Sequence, residues 1–153
     1  MPKIEGVFVK RLVRHPDDRG FFMEILRDDD GLLKRFGQAS LSKSYPGVIK
    51  AFHYHAEQDD LWFFPAGNAQ VVLHDLRKDS ATFGVTEVFY LGEDNSELLL
   101  IPAGVAHGYR VLGEQPAVIV YFTTESYKMG SPDEYRIPWN DPKIGFDWTS
   151  QHR

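Results

Sequence analysis

The chain has 153 residues and no cysteine, which excludes disulfides, thiolate metal ligands and a cysteine nucleophile. A thiol-free chain suits a reducing cytoplasm, and that is the expected compartment. Long apolar runs are missing too. The N-terminal stretch MPKIEGVFVKRLVRHPDDRG lacks the apolar centre of a signal peptide, and no segment approaches membrane-spanning length, so no membrane partner is expected. Positive charge is not in excess. Lys and Arg number 17 against 22 Asp and Glu, for a net charge of −5; the basic residues are scattered, so nucleic acid is not an expected partner. There is no internal repeat at the roughly 20–50 residue periods of solenoids and propellers. No low-complexity linker interrupts the chain, and residues 1–153 are read as one domain.

What the chain does have is short, bulky apolar runs. Hydrophobic residues make up 42% and aromatics 14%, enough to fill a core without staples. GVFVKRL, GFFMEIL, GVIKAFHYH, LWFF, AQVVLHDLR, TEVFYL, ELLLIP, HGYRVL and AVIVYFTT are rich in Val, Ile, Phe and Tyr, and most are bounded by Gly, Pro, Asp or Asn. They recur about every 10 residues, the cadence of a β-sandwich or small barrel. Only DDDGLLKRFG reads as helical. The tail SPDEYRIPWNDPKIGFDW reads as an ordered, turn-rich segment laid over the barrel, with Trp139 and Trp148 as apolar anchors. The expected fold is an all-β barrel.

The stretch AFHYHAEQDDLWFF, residues 51–64, carries the chemistry. Side chains two apart on a strand share a face, so His53 and His55 project together, with Phe52 and Tyr54 opposite. Asp60 follows the short turn AEQD, from which a returning strand brings it to the same pocket. Farther along, Pro102 and Gly104 shape a turn that delivers His107. Three imidazoles and a carboxylate suit a divalent ion such as Mn, Fe, Ni, Cu or Zn. The same residues could equally be polar groups of a barrel lumen that binds an organic ligand without metal.

The spacing Gly47, His53-x-His55, Asp60, Gly67 resembles the first motif of the cupin superfamily, with Asp60 where glutamate is usual. Pro102-x-Gly104, then His107, resembles the second, with Val111 at the usual asparagine. The chain as a whole resembles the dTDP-4-dehydrorhamnose 3,5-epimerase family within that superfamily. DDRGFFMEIL, FGQASLSKS, GVIKAFHYH, DLRKDSATFG, LLLIPAGVAHGYRVL and WNDPKIGFDW carry the likeness, in the family's order, from about residue 7 to 148. The resemblance implies a cupin jelly-roll β-barrel, a homodimer that exchanges N-terminal strands, a nucleotide sugar as partner and no organic cofactor.

It also implies a chemistry. A 4-keto group acidifies the neighbouring C3 and C5 protons, so a base removes one and an acid returns it on the other face. Histidine suits the base, tyrosine can donate, and the enolate between the two steps wants a cation or donor at its oxygen. Carried over, the base matches His53 and the proton donor Tyr127 in TTESYK. Arg19, Gln38 and Lys50 match substrate-binding positions. Taken singly, Arg19 is as readily a surface partner of Asp17 or Asp18, and Tyr127 one of seven tyrosines.

The departures from the family are specific. Lys50-Ala51 stands for Arg-Gly, which keeps the charge and loses the guanidinium fork. Asp60 takes the place of the enolate-stabilising lysine, His55 that of a glutamine, and Ser40 that of an asparagine. The aspartate that orients the base belongs to a C-terminal extension beyond Arg153, so weakened activity, or activity at one carbon only, is expected. Gln to His and Lys to Asp together rebuild a cupin metal set of His53, His55, Asp60 and His107, in which coordination would remove His53 as a free base. Three functions compete: a nucleotide-sugar epimerase or ketoisomerase, the latter because FHYH also resembles ketoisomerases with paired histidines; a metal-dependent cupin isomerase or dioxygenase; and a non-catalytic sugar- or nucleotide-binding cupin.

Overall fold

A computed structural model describes residues 1–149. The apolar runs become strands in two five-stranded antiparallel sheets. The first has the order β1 (Phe8–Arg11), β9 (Glu97–Ile101), β6 (Asp60–Ala66), β11 (Ala117–Thr123), β4 (Gln38–Ser44). The second runs β12 (Tyr135–Arg136), β5 (Ile49–Tyr54), β10 (Val105–Leu112), β7 (Asn68–Asp75), β8 (Thr86–Gly92). A separate hairpin joins β2 (His15–Asp17) to β3 (Gly20–Phe22). The arrangement is the all-β barrel expected from the strand cadence, in the jelly-roll form that the family resemblance implies.

Three apolar layers explain the unbroken run LWFF. Trp62 and Phe64 point between the sheets, among Val71, Leu73, Leu99 and Ile119. Leu61 and Phe63 point the other way, where Ile25, Leu26, Leu32 and Leu33 cover the first sheet. On the second sheet, Phe52, Val72 and Ala106 meet Ile137, Ile144, Phe146 and Trp148 of the C-terminal tail. A strand covered on both faces carries no alternation, so four consecutive large side chains are all buried.

Two expectations are corrected. The helix read in DDDGLLKRFG shrinks to one 3-10 turn, Asp28–Asp30. Gly31 ends it at φ 66°, and Leu32 and Leu33 are used instead as a cover for the first sheet. Of the two tail tryptophans, only Trp148 is an anchor. It packs on Phe52 at 5.6 Å between ring centroids and donates its indole N–H to the Trp139 carbonyl at 3.0 Å, whereas the Trp139 side chain is half exposed.

Candidate active site

The barrel opens at one end into a cavity of about 720 Å³ lined by His53, His55, Asp60, Trp62, His107 and Tyr127, among others, a size in the usual range for small-molecule sites. Its floor is set by pairing. His53 on β5 lies directly opposite His107 on β10, and the ladder shifts register just after His107. Gly108 makes that close approach possible: a Cβ there would stand 2.3 Å from the Ala51 Cβ and 2.8 Å from the Lys50 carbonyl oxygen. The two adjacent aspartates divide the work at the start of β6. Asp59 turns away, accepting the Ala103 N–H at 2.9 Å and pairing with Lys34 at 3.0 Å, while Asp60 faces inward.

Asp60, His55 and His107 are all buried, at 4%, 8% and 3% exposure. Both imidazoles are fixed through Nδ1. His55 donates to the Asp133 carbonyl at 2.6 Å, and His107 to the Val105 carbonyl at 3.0 Å. Their Nε2 atoms then face the Asp60 carboxylate at 3.5 and 3.8 Å. Asp60 is oriented in turn by Gln58 Nε2 at 2.8 Å and the Trp62 indole N–H at 3.1 Å. Burial dominates His107 and pushes its pKa down to about 4. At His55 burial acts the same way, but Asp60 and, to a lesser degree, Asp133 together more than offset it and the pKa rises. Burial works to raise Asp60, and the two imidazoles together hold it below the ordinary carboxylate value.

His53 is set apart from this group. Among the described residues, the ligand atoms that converge are those of His55, Asp60 and His107, all within 4.8 Å of one another. The four-membered set expected from the sequence therefore loses His53. The physical reason is a competing carboxylate: His53 donates Nδ1–H to Glu134 at 3.0 Å, which leaves its Nε2 unclaimed. The expectation that the base lacks an orienting carboxylate is corrected by the same contact. The neighbouring Asp133 accepts the backbone N–H groups of Ala56, Glu57 and Gln58 at 2.7, 2.9 and 3.0 Å. Burial works to raise the Asp133 pKa, but those three donors keep it low. One short segment thus clamps both histidines of the HYH stretch.

The remaining expected residues divide. Gln38 lines the cavity, donates to the Ser40 hydroxyl at 3.0 Å and accepts the Tyr127 backbone N–H at 3.0 Å. Tyr127 therefore stands at the rim, 58% exposed, on a segment tied to β4. Lys50 reaches the wall and donates to the Ser42 hydroxyl at 3.2 Å. Arg19 does not reach the cavity: it sits on the projecting β2–β3 hairpin, paired with Asp17 at 2.6 Å. Sequence reasoning missed Asp133, Glu134, Gln58 and Trp62. SPDEY reads as an ordinary acidic turn, and nothing in its composition points to contacts some 80 positions away in the chain. The signal available was the period-two placement of Trp62 after Asp60, which puts both on one face.

Comparison with known proteins places this geometry. The sequence profile of the dTDP-4-dehydrorhamnose 3,5-epimerase family matches residues 2–153. The spore coat polysaccharide biosynthesis protein SpsL of Bacillus subtilis is 69% identical over 98% of this chain and 99% of its own length. The crystal structure of a dTDP sugar isomerase from Desulfovibrio desulfuricans G20 superposes with a TM-score of 0.88, at 32% identity, covering 95% of this chain and 92% of that one. An epimerase from Legionella pneumophila, in complex with dTDP-4-keto-L-rhamnose, superposes at 0.86 with 31% identity over 96% of this chain and 80% of its own. On its profile, its fold and its relatives, the chain belongs to the dTDP-4-dehydrorhamnose 3,5-epimerase family.

Proposed function

We propose that the protein epimerises a nucleotide-linked 4-keto-6-deoxy sugar, a dTDP sugar in the first instance, for surface polysaccharide synthesis. The observation that carries this reading is the Glu134–His53 contact, in a cavity that Tyr127 also lines. A carboxylate on Nδ1 fixes the tautomer and steadies the imidazolium that forms when Nε2 takes a proton. In the reaction His53 Nε2 removes the proton from the carbon beside the keto group. The C–H electron pair moves into an enolate, and the Tyr127 hydroxyl returns a proton to the opposite face. Imidazolium and phenolate are then reset by exchange with water.

Charge supports a second copy at the site. Glu57, Asp60, Glu125, Asp133 and Glu134 outnumber Lys50 and Lys128 along the cavity, and no arginine of the described residues lines it. A diphosphate calls for guanidinium or ammonium groups. The exposed β2–β3 hairpin carries Arg19 beside Phe21 and Phe22, which are 56% and 65% exposed. A homodimer that exchanges N-terminal segments would deliver this arginine to the neighbouring cavity.

The test is incorporation of solvent deuterium into dTDP-4-keto-6-deoxyglucose. Wild-type protein is expected to label C3, C5 or both. His53→Ala should lose labelling altogether, and Tyr127→Phe should retain labelling while losing inversion. Labelling that survives in His53→Ala would remove His53 as the base.

A further inference from the structure

We propose that His55, Asp60 and His107 bind one divalent first-row transition-metal ion, with His53 outside the ligand set. The first observation is that neither imidazole offers its Nδ1–H to Asp60. Both imidazoles give Nδ1–H to backbone carbonyls, Asp133 for His55 and Val105 for His107. In their neutral form, then, two Nε2 lone pairs and a carboxylate face one another across a buried space. Three acceptors do not stabilise one another; a cation between them does.

The second observation is distance. A proton shared between imidazole and carboxylate draws them to about 2.7–2.9 Å. The Nε2-to-oxygen separations here are 3.5 and 3.8 Å, too long for such bonds. Two ligands each about 2.1 Å from a tetrahedral centre stand about 3.4 Å apart. The two separations run to different oxygens of Asp60, and the three ligand atoms, within 4.8 Å of one another, would draw together around an ion. The third observation is support behind the ligands. Metal-binding histidines donate their other N–H to a carbonyl or carboxylate, and ligating carboxylates are themselves hydrogen-bonded. Both conditions hold, the second through Gln58 and Trp62 on Asp60.

Two histidines and one carboxylate at the wall of an open cavity leave coordination positions for water or substrate oxygen, the pattern of reactive rather than structural sites. When bound, such an ion supplies a Lewis acid where a bare Asp60 carboxylate would repel an enolate. This role rests on the epimerase reading above; the binding does not. Because Glu134 holds His53 outside the ligand set, His53 would stay available as the base with an ion on the other three side chains.

The experiment uses the full chain after chelator treatment, titrated with Co²⁺ and followed by visible absorption, with Zn²⁺ as competitor. One equivalent per chain is expected. His55→Gln and Asp60→Asn should each weaken Co²⁺ binding about 100-fold or more, and Gln58→Ala about tenfold. His53→Asn should bind as wild type does. Circular dichroism identifies which variants remain folded, and Gln58→Ala leaves all three ligands in place should a ligand variant fail to fold. Absence of saturable binding by folded wild-type protein, or unchanged affinity in folded His55→Gln and Asp60→Asn, overturns the proposal. Deuterium exchange run in parallel separates the two readings: exchange by protein that binds no Co²⁺ ends the metal site and keeps the epimerase, while stoichiometric binding without exchange does the reverse.

Discussion

His53 and Glu134 are each about one-third exposed, at 31% and 33% for their side chains, so their contact adds little to folding stability. Its importance is orientation. Glu134→Ala leaves Nδ1 without its acceptor, and kcat is expected to fall about 10- to 100-fold. KM should change little, because Glu134 touches the base and not the substrate's distant groups. Glu134→Asp should recover part of the loss, and Glu134→Gln, which still accepts the N–H but carries no charge, should lie between. Steady-state kinetics on the keto sugar checks the series. A large rise in KM at constant kcat would instead make Glu134 a substrate contact. Similar reasoning separates the other two histidines of the site. Burial pushes the pKa of His107 down to about 4, whereas the carboxylate of Asp60 helps to raise that of His55, so imidazoles whose rings lie 5.2 Å apart at their centroids differ in character.

At the level of strands, the β5–β10 pair does the positioning, and its weak point is Gly108. Alanine there must displace the Ala51 backbone or side chain, since its Cβ would sit 2.3 Å from the Ala51 Cβ. Overpacking of this kind costs about 1–3 kcal/mol. Urea unfolding of Gly108→Ala should show a lower midpoint with an unchanged slope, and the shift in β5 should also disturb His53. A midpoint equal to wild type would mean that the two strands are not packed so tightly. The strands themselves were legible because Val, Ile and aromatic runs bounded by turn residues repeat at a regular interval. The helix was misread because Leu32, Leu33 and Phe36 mimic helical spacing. Leu32 and Leu33 are partly buried instead against the cluster of Leu61 and Leu98 on the first sheet, a tertiary demand that local pattern cannot reveal.

Across the whole molecule, the part of the site written in contiguous motifs was legible, and the part assembled from distant segments was not. His53, His55, Asp60 and His107 follow from i, i+2 alternation and two turns. Glu134 meets His53 across 81 positions, and Gln38 meets the Tyr127 N–H across 89; sequence spacing carries no record of either. Arg19 shows the converse, a matched residue that a single chain does not bring to the cavity. The tail that supplies Glu134 has a further consequence. Its links to the barrel edge are the two-residue β12, the paired bonds between Phe52 and Ile137 at 2.8 and 3.0 Å, the apolar patch under Trp148, and the hydrogen bonds of Asp133 and Glu134 to residues 53–58. A terminal segment docked on the barrel edge is a candidate for sub-global opening at a free energy below that of the barrel. Amide exchange should therefore find Ile137 deprotecting ahead of Val71 and Leu73. In low urea, deuterium incorporation into the sugar should fade before the barrel's circular dichroism changes. Equal protection of Ile137 and Val71 would instead make tail and barrel one cooperative unit. On the expected result, the barrel is a scaffold that outlasts its own catalyst: the enzyme is switched off while almost all of it is still folded.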